Sequence, residues 1–239
     1  MLKLASCNDF VGLRRKYRDL YAGYGYDWSL KEFGSLFIYD HIVKSGGRMK
    51  VCEFGPGFNV FFSSKLSTAH EYWSIDDSGS NLGIGADAER YQKVVKTREE
   101  NGHRHVAGLL GANSSDLPSD HFDVVFSISV IEHIAGEDMG SVATEAYRIL
   151  RKGGVLINTI DIYFGSKKHA EWRDAAANAG FQMPAKIEND WKFGGNETTF
   201  LERQDVRYVI YNSLKHPKIW DDDVPYVSQF ATVCQRAAK

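Results

Sequence analysis

The chain has 239 residues, 43% of them hydrophobic, enough to bury one full core, and length alone permits one or two domains. Its 29 Lys and Arg against 31 Asp and Glu give a net charge of -2, without the basic excess of a nucleic-acid binder. Cys7, Cys52 and Cys234 are odd in number and far apart, with no CxxC pair and no Cys/His cluster at zinc spacing, so the expectation is three reduced thiols and no metal.

The opening MLKLASCNDF turns at once into RRKYRD and lacks the apolar core of a secretion signal. The longest apolar run, VVFSISVI, is too short to span a bilayer. Together these predict a cytoplasmic protein without a membrane partner. No repeat and no Gly/Ser/Pro-rich linker divides the chain, so one domain over 1–239 is expected.

Residues 8–46 read as helical. Phe10, Leu13, Tyr17, Leu20 and Tyr21 recur at spacings of three and four, SLKE at 29–32 resembles a capping box, and Gly46-Gly47 ends the second helix. From there short apolar strand candidates follow at 49–54, 71–75, 105–110, 122–128 and 154–160, separated by polar or helix-periodic segments such as MGSVATEAYRILRKGG. Strands that alternate with helices, several continuously apolar, argue for a parallel sheet covered on both faces. KKHAEWRDAAANAGF adds a helix stopped by Gly180, residues 188–226 read as an insertion with one helical candidate in DVRYVIYNSL, and 226–235 reads as a last strand.

The stretch VCEFGPGFNVF, residues 51–61, carries the chemistry. A phosphate-binding P-loop needs a Lys-Ser/Thr pair behind its glycines, and none follows Gly57. A dinucleotide fingerprint needs a third glycine where this chain has Val60. The pattern that fits better is an acid at a strand end, Gly-x-Gly, then an acid ending the next strand. Here these are Glu53, Gly55, Gly57 and Asp76, with Asp77 beside it; 76 − 53 = 23 positions suit one strand–helix–strand step. Pro56 stiffens the turn between the two glycines, and a carboxylate at Asp76 can accept hydrogen bonds from both hydroxyls of a ribose.

With these motifs the sequence resembles the class I S-adenosylmethionine-dependent methyltransferases. SSDLPSDHFDVVFSISVIEHI is similar to that family's stretch through the fourth strand and its Glu-His ending, and EAYRILRKGGVLINTID to its next helix and fifth strand; the likeness covers about residues 48–163. It implies a Rossmann-like, mostly parallel seven-stranded sheet with an antiparallel last strand and helices on both faces. Around it we expect an N-terminal helical cap (1–47), a cofactor-binding core (48–163) and an inserted substrate cap (188–226).

The resemblance also implies S-adenosylmethionine as cofactor and assigns roles. Gly55 and Gly57 would let the backbone pass under the methionine part, Glu53 would sit near its ammonium and Asp76 would hold the ribose. Asn113, an amide where the family often has an acid, would face the adenine, with Ser114 beside it. Asn59 stands where many relatives have a third glycine.

His133 follows the fourth strand at the edge where an acceptor would meet the methyl group, and its ordinary pKa suits removal of a hydroxyl proton. Its alternative is a helix cap or pocket floor. Asp161, after the fifth strand, is the second candidate base, with a turn residue as its alternative. The aromatics of 10–39 and 191–226 divide between ordinary packing and a pocket for a flat or sugar-like acceptor. RRKYR reads as a solvated helix face and Asp221–Asp223 as a solvated turn. The expected function is O-methylation of a small molecule or glycan precursor. The alternative is a non-catalytic S-adenosylmethionine-binding regulatory or assembly protein.

Overall fold

The computed structural model describes residues 2–5, 7–21, 30–66, 69–77, 88–163, 167–184, 187–188 and 227–238. The insertion beyond Glu188, Ser29 of the capping box, the aromatics at 24–28 and Asp221–Asp223 lie outside them.

The strands are β1 (Leu2–Leu4), β2 (Lys50–Phe54), β3 (Glu71–Asp76), β4 (Arg104–Ala107), β5 (Phe122–Ile128), β6 (Leu150–Tyr163), β7 (Phe181–Gln182), β8 (Ile187–Glu188) and β9 (Val227–Arg236). The helices are α1 (Cys7–Lys16), α2 (Leu30–Lys44), α3 (Phe61–Lys65), α4 (Ala88–Glu100), α5 (Met139–Ile149) and α6 (Lys168–Asn178). Strand order is β4-β3-β2-β5-β6-β9-β1-β8, with β7 also on β9. The run from β4 to β6 is parallel, and β9 lies antiparallel against β6 from Val155↔Gln235 to Tyr163↔Val227. Those six strands and β7 form the expected seven-stranded sheet; β1 and β8 are short additions. The far edge of β9 is shared, pairing with β1 through Leu2↔Thr232 and with β7 through Phe181↔Arg236.

The continuous apolarity of β5 follows from burial on both sides. Val124, Phe126 and Ile128 face a cluster holding Phe10, Phe33, Leu36, Ile38 and Phe62, whereas Val125 faces one holding Val142, Ala146, Ile149 and Trp172. Helix α5 supplies that second face with Met139, Val142, Ala143, Ala146 and Ile149, the three-and-four spacing of a helix with one apolar stripe. It ends at Ile149, where Leu150 turns extended (ψ 138°) and starts β6, four residues before the predicted strand. Backbone pairing with Phe122 draws Leu150 into the sheet before Gly153-Gly154 is reached.

Residues 30–44 form a helix buried on nearly all sides. At Gly34 an added Cβ would lie 2.6 Å from Thr159 Oγ1 and 2.9 Å from Ile128 Cγ2, so α2 rests on the sheet at backbone distance. The N-terminal segment is therefore a layer of the main core, and β1, read from sequence as part of a helical cap, is a strand. Parallel pairing aligns the carboxyl ends of β2, β3, β4, β5 and β6 along one edge. Chain direction across the sheet reverses between β2 and β5, and ligands of such sheets bind outside that point.

Candidate active site

The glycine loop leaves β2 at this reversal. Gly55 and Gly57 have φ of +66° and +53°, the left-handed region that penalises a side chain. An added Cβ on Gly55 would meet Val130 Cγ2 at 2.7 Å, whereas one on Gly57 would meet nothing within 4 Å. The first glycine thus permits close passage over the end of β5, and the second leaves an open face. Pro56 C=O accepts from Asn59 N–H at 2.9 Å, and Asn59 Oδ1 accepts from Phe61 N–H at 2.8 Å to start α3.

Asp76 ends β3 facing this loop. Its Oδ2 accepts from Gly57 N–H at 2.8 Å and its Oδ1 from Asp77 N–H at 2.9 Å. Burial raises its pKa, and the two N–H bonds work against that rise. Each oxygen keeps a lone pair for a further donor. Glu53 lies behind the loop, 2% exposed and bonded to the Tyr72 hydroxyl, with burial pushing its pKa up to about 8. Asn113 closes the turn after β4 by donating to Leu109 C=O at 2.9 Å; its side chain is exposed, and Leu109 beside it is 41% exposed. The Ser114 hydroxyl donates to Glu145 Oε1 at 2.6 Å and accepts from Gly111 N–H at 3.3 Å, which ties the turn to α5.

Sequence reasoning missed Arg98. It is fully buried and reaches from α4 to donate through Nη2 to Gly57 C=O at 2.6 Å and Asn59 C=O at 2.8 Å. Tyr91 and Arg98 are the buried residues of α4, two turns apart on one face, and that spacing is the signal that could have found them. Beside them burial and the arginine's charge hold His105 down to about 4, with Nδ1 2.9 Å from Ser74 Oγ.

A second polar group occupies the carboxyl ends of β5 and β6 and the amino end of the antiparallel β9. Ser129, just past β5, has φ +52°, rare for a residue with a side chain, and is fixed by its N–H to Thr159 C=O at 2.9 Å. Asp161 Oδ1 accepts from Ser129 Oγ at 3.0 Å and from Gln229 Nε2 at 2.9 Å. Glu132, also missed from sequence, faces Asp161 with its side chain 4% exposed, and neither of its carboxyl oxygens has a well-aligned donor. Burial and the neighbouring carboxyl raise the pKa of Glu132. Two carboxyls so placed hold one proton between them. Asp161 accepts from two side-chain donors, and its carboxyl, like that of Glu132, is pushed up in pKa by burial. His133 stands at the rim, 75% exposed, with Nε2 3.9 Å from Glu132 Oε1.

A glycine loop in left-handed backbone at the sheet reversal, faced by an acid ending the next strand, defines an α/β protein that binds a nucleoside cofactor. Residues 52–158 match the family profile described as a methyltransferase domain. In sequence alone no curated protein matches the chain. Its fold is similar to a structure assigned as a sarcosine dimethylglycine methyltransferase from Galdieria sulphuraria, at TM-score 0.54 and 11% identity over 95% of this chain and 99% of that one. A TehB-like S-adenosylmethionine-dependent methyltransferase from Corynebacterium glutamicum gives 0.54 and 13% over 96% and 98%. The 4+2 cyclase SpnF gives 0.55 and 13% over 98% of each chain. These likenesses are of fold. The residues present fit the cofactor: the face over Gly57 is open to its methionyl chain, and Asp76 has acceptor capacity for its ribose. Among the described residues no helix is long and apolar enough to cross a membrane.

Proposed function

We propose that this methyltransferase acts on an oxygen of a small molecule or glycan precursor, and that the acceptor is deprotonated at the carboxyl ends of β5 and β6. The observation that carries this reading is the Glu132–Asp161 pair, a buried carboxyl against a partly exposed one, beside the reversal point where Val130 touches Gly55. When bound, the cofactor supplies an electrophilic methyl group on a sulfonium. The chain has to bind, orient and remove a proton. Gly55 and Gly57 leave room for the methionyl part, Asp76 accepts from the ribose hydroxyls, and Asn113 and Ser114 flank the adenine, with Leu109 offering it an apolar surface. Asp77 supports Asp76 through its backbone N–H. Asp161, partly exposed and accepting from Ser129 and Gln229, takes the acceptor's proton. His133 is the second candidate for that role and lies nearer solvent.

A second reading, transfer to nitrogen, is supported by the same wall. Carboxyl oxygens of Glu132 without donors suit an acceptor that brings its own N–H groups. Both readings meet one experiment: production of S-adenosylhomocysteine with a panel of matched alcohols and amines. Turnover confined to the amines overturns the oxygen assignment and leaves methyl transfer standing.

A further inference from the structure

Gly57 is gripped from two sides. Its N–H donates to the Asp76 carboxylate at 2.8 Å, and its C=O accepts from Arg98 at 2.6 Å. The same arginine nitrogen holds Asn59 C=O at 2.8 Å. Arg98 is fully buried and its Nε and Nη1 have no well-aligned partner; Tyr91 lies beside it, and Asp76 and Glu53 feel its charge without forming a direct ion pair among the described residues. Burying a guanidinium on these terms is costly, and an apolar side chain would fill the space behind the loop at lower cost. Stability alone therefore gives a poor account of the residue.

Its geometry gives a better one. A left-handed glycine such as Gly57 is free to relax, because glycine visits both signs of φ about equally. Two carbonyls fixed by one planar, always-charged group remove that freedom. We propose that Arg98 is a positioning residue for the cofactor, which with Asp76 clamps Gly57 and presets the loop that receives the methionyl end. The clamp holds Gly57 from opposite sides, its C=O from α4 and its N–H from the acid at the end of β3. It acts on the part of the cofactor that lies over the loop and leaves the nucleoside part untouched. The inference rests on the cofactor site described above and adds a residue that no motif marks.

The test is calorimetric titration of wild type, Arg98→Met and Arg98→Lys with S-adenosylhomocysteine and, separately, with adenosine, beside thermal denaturation of each protein. Loss of a charge-assisted clamp should weaken S-adenosylhomocysteine binding about tenfold or more in Arg98→Met, with adenosine affinity held within about twofold. Arg98→Lys keeps charge and most of the volume but not the fork, so it should fall between. Equal losses for both ligands, or no loss for either, overturn the proposal and leave Arg98 a packing residue. So does failure of both variants to fold beside a stable wild type. Wild type that binds neither ligand would bring down the cofactor site itself, a result distinct from any of these.

Discussion

The two halves of the site are built on opposite terms. On the β2–β3–β4 side the polar backbone of the glycine loop is matched: Gly55 N–H to Ile75 C=O, Gly57 N–H to Asp76, Gly57 C=O to Arg98, Asn59 N–H to Pro56 C=O. On the β5–β6–β9 side Glu132 has no aligned donor, and Gln229 Oε1 and Thr159 Oγ1 are likewise buried without a partner. A closed network holds a shape, while an open one waits for donors from outside. The difference lies in the kind of group left over: buried donors of Arg98 behind the glycine loop, and carboxyl and amide oxygens at the β5–β6–β9 edge, which are open to donors from outside.

The hardest blow to that contrast is struck at Asp161. Asp161→Asn removes the proposed base and should lower turnover by about 10²–10⁴-fold with S-adenosylhomocysteine affinity unchanged, read from steady-state rates and calorimetry. Glu132→Gln keeps a neutral partner for Asp161. It should cost far less at neutral pH and abolish the alkaline fall in rate expected of wild type as Glu132 ionises. A large loss at neutral pH in Glu132→Gln reverses the two roles.

On the other half, Asp76→Ala leaves Gly57 N–H and the ribose hydroxyls without an acceptor. Cofactor affinity should fall about tenfold or more, while the apparent pKa of turnover stays put. An unchanged affinity moves the ribose contact to Asp77 or away from both.

Smaller still is the expected effect of His133→Ala. A side chain 75% exposed at the rim should change turnover by no more than about twofold to threefold. A loss of two orders of magnitude would return proton removal to this histidine and demote the carboxyl pair.

The smallest effect concerns stability. Burial raises Glu53 to about 8 in the folded protein, above its ordinary 4.5, so the folded state binds a proton that the unfolded state has released. Its stabilising contribution is complete below pH 4.5 and is lost as pH rises through about 8. Glu53→Gln, which can still accept from Tyr72, should flatten the fall in melting temperature over that window, measured as the difference from wild type at each pH. Parallel curves for the two proteins would mean that Glu53 is ionised in place.

By itself the sequence determined the sheet and the cofactor loop. Strand spans at 50–54, 71–76 and 122–128 lie within a residue of their predicted limits, because period and continuous apolarity are local properties that burial on both faces enforces. Gly55, Gly57 and Asp76 were legible for the same reason, being fixed by strand ends a few residues away. What only the tertiary structure decided are contacts between residues far apart in the chain. Arg98 meets Gly57 across 41 positions, and Gln229 meets Asp161 across 68. Glu132 and His133 are neighbours in one dipeptide, yet a single short turn after β5 sends one carboxyl inward against Asp161 and one imidazole out to solvent. Spacing cannot distinguish those two directions, since the side that is buried is set by β6 and β9, which reach this edge only when the sheet has assembled.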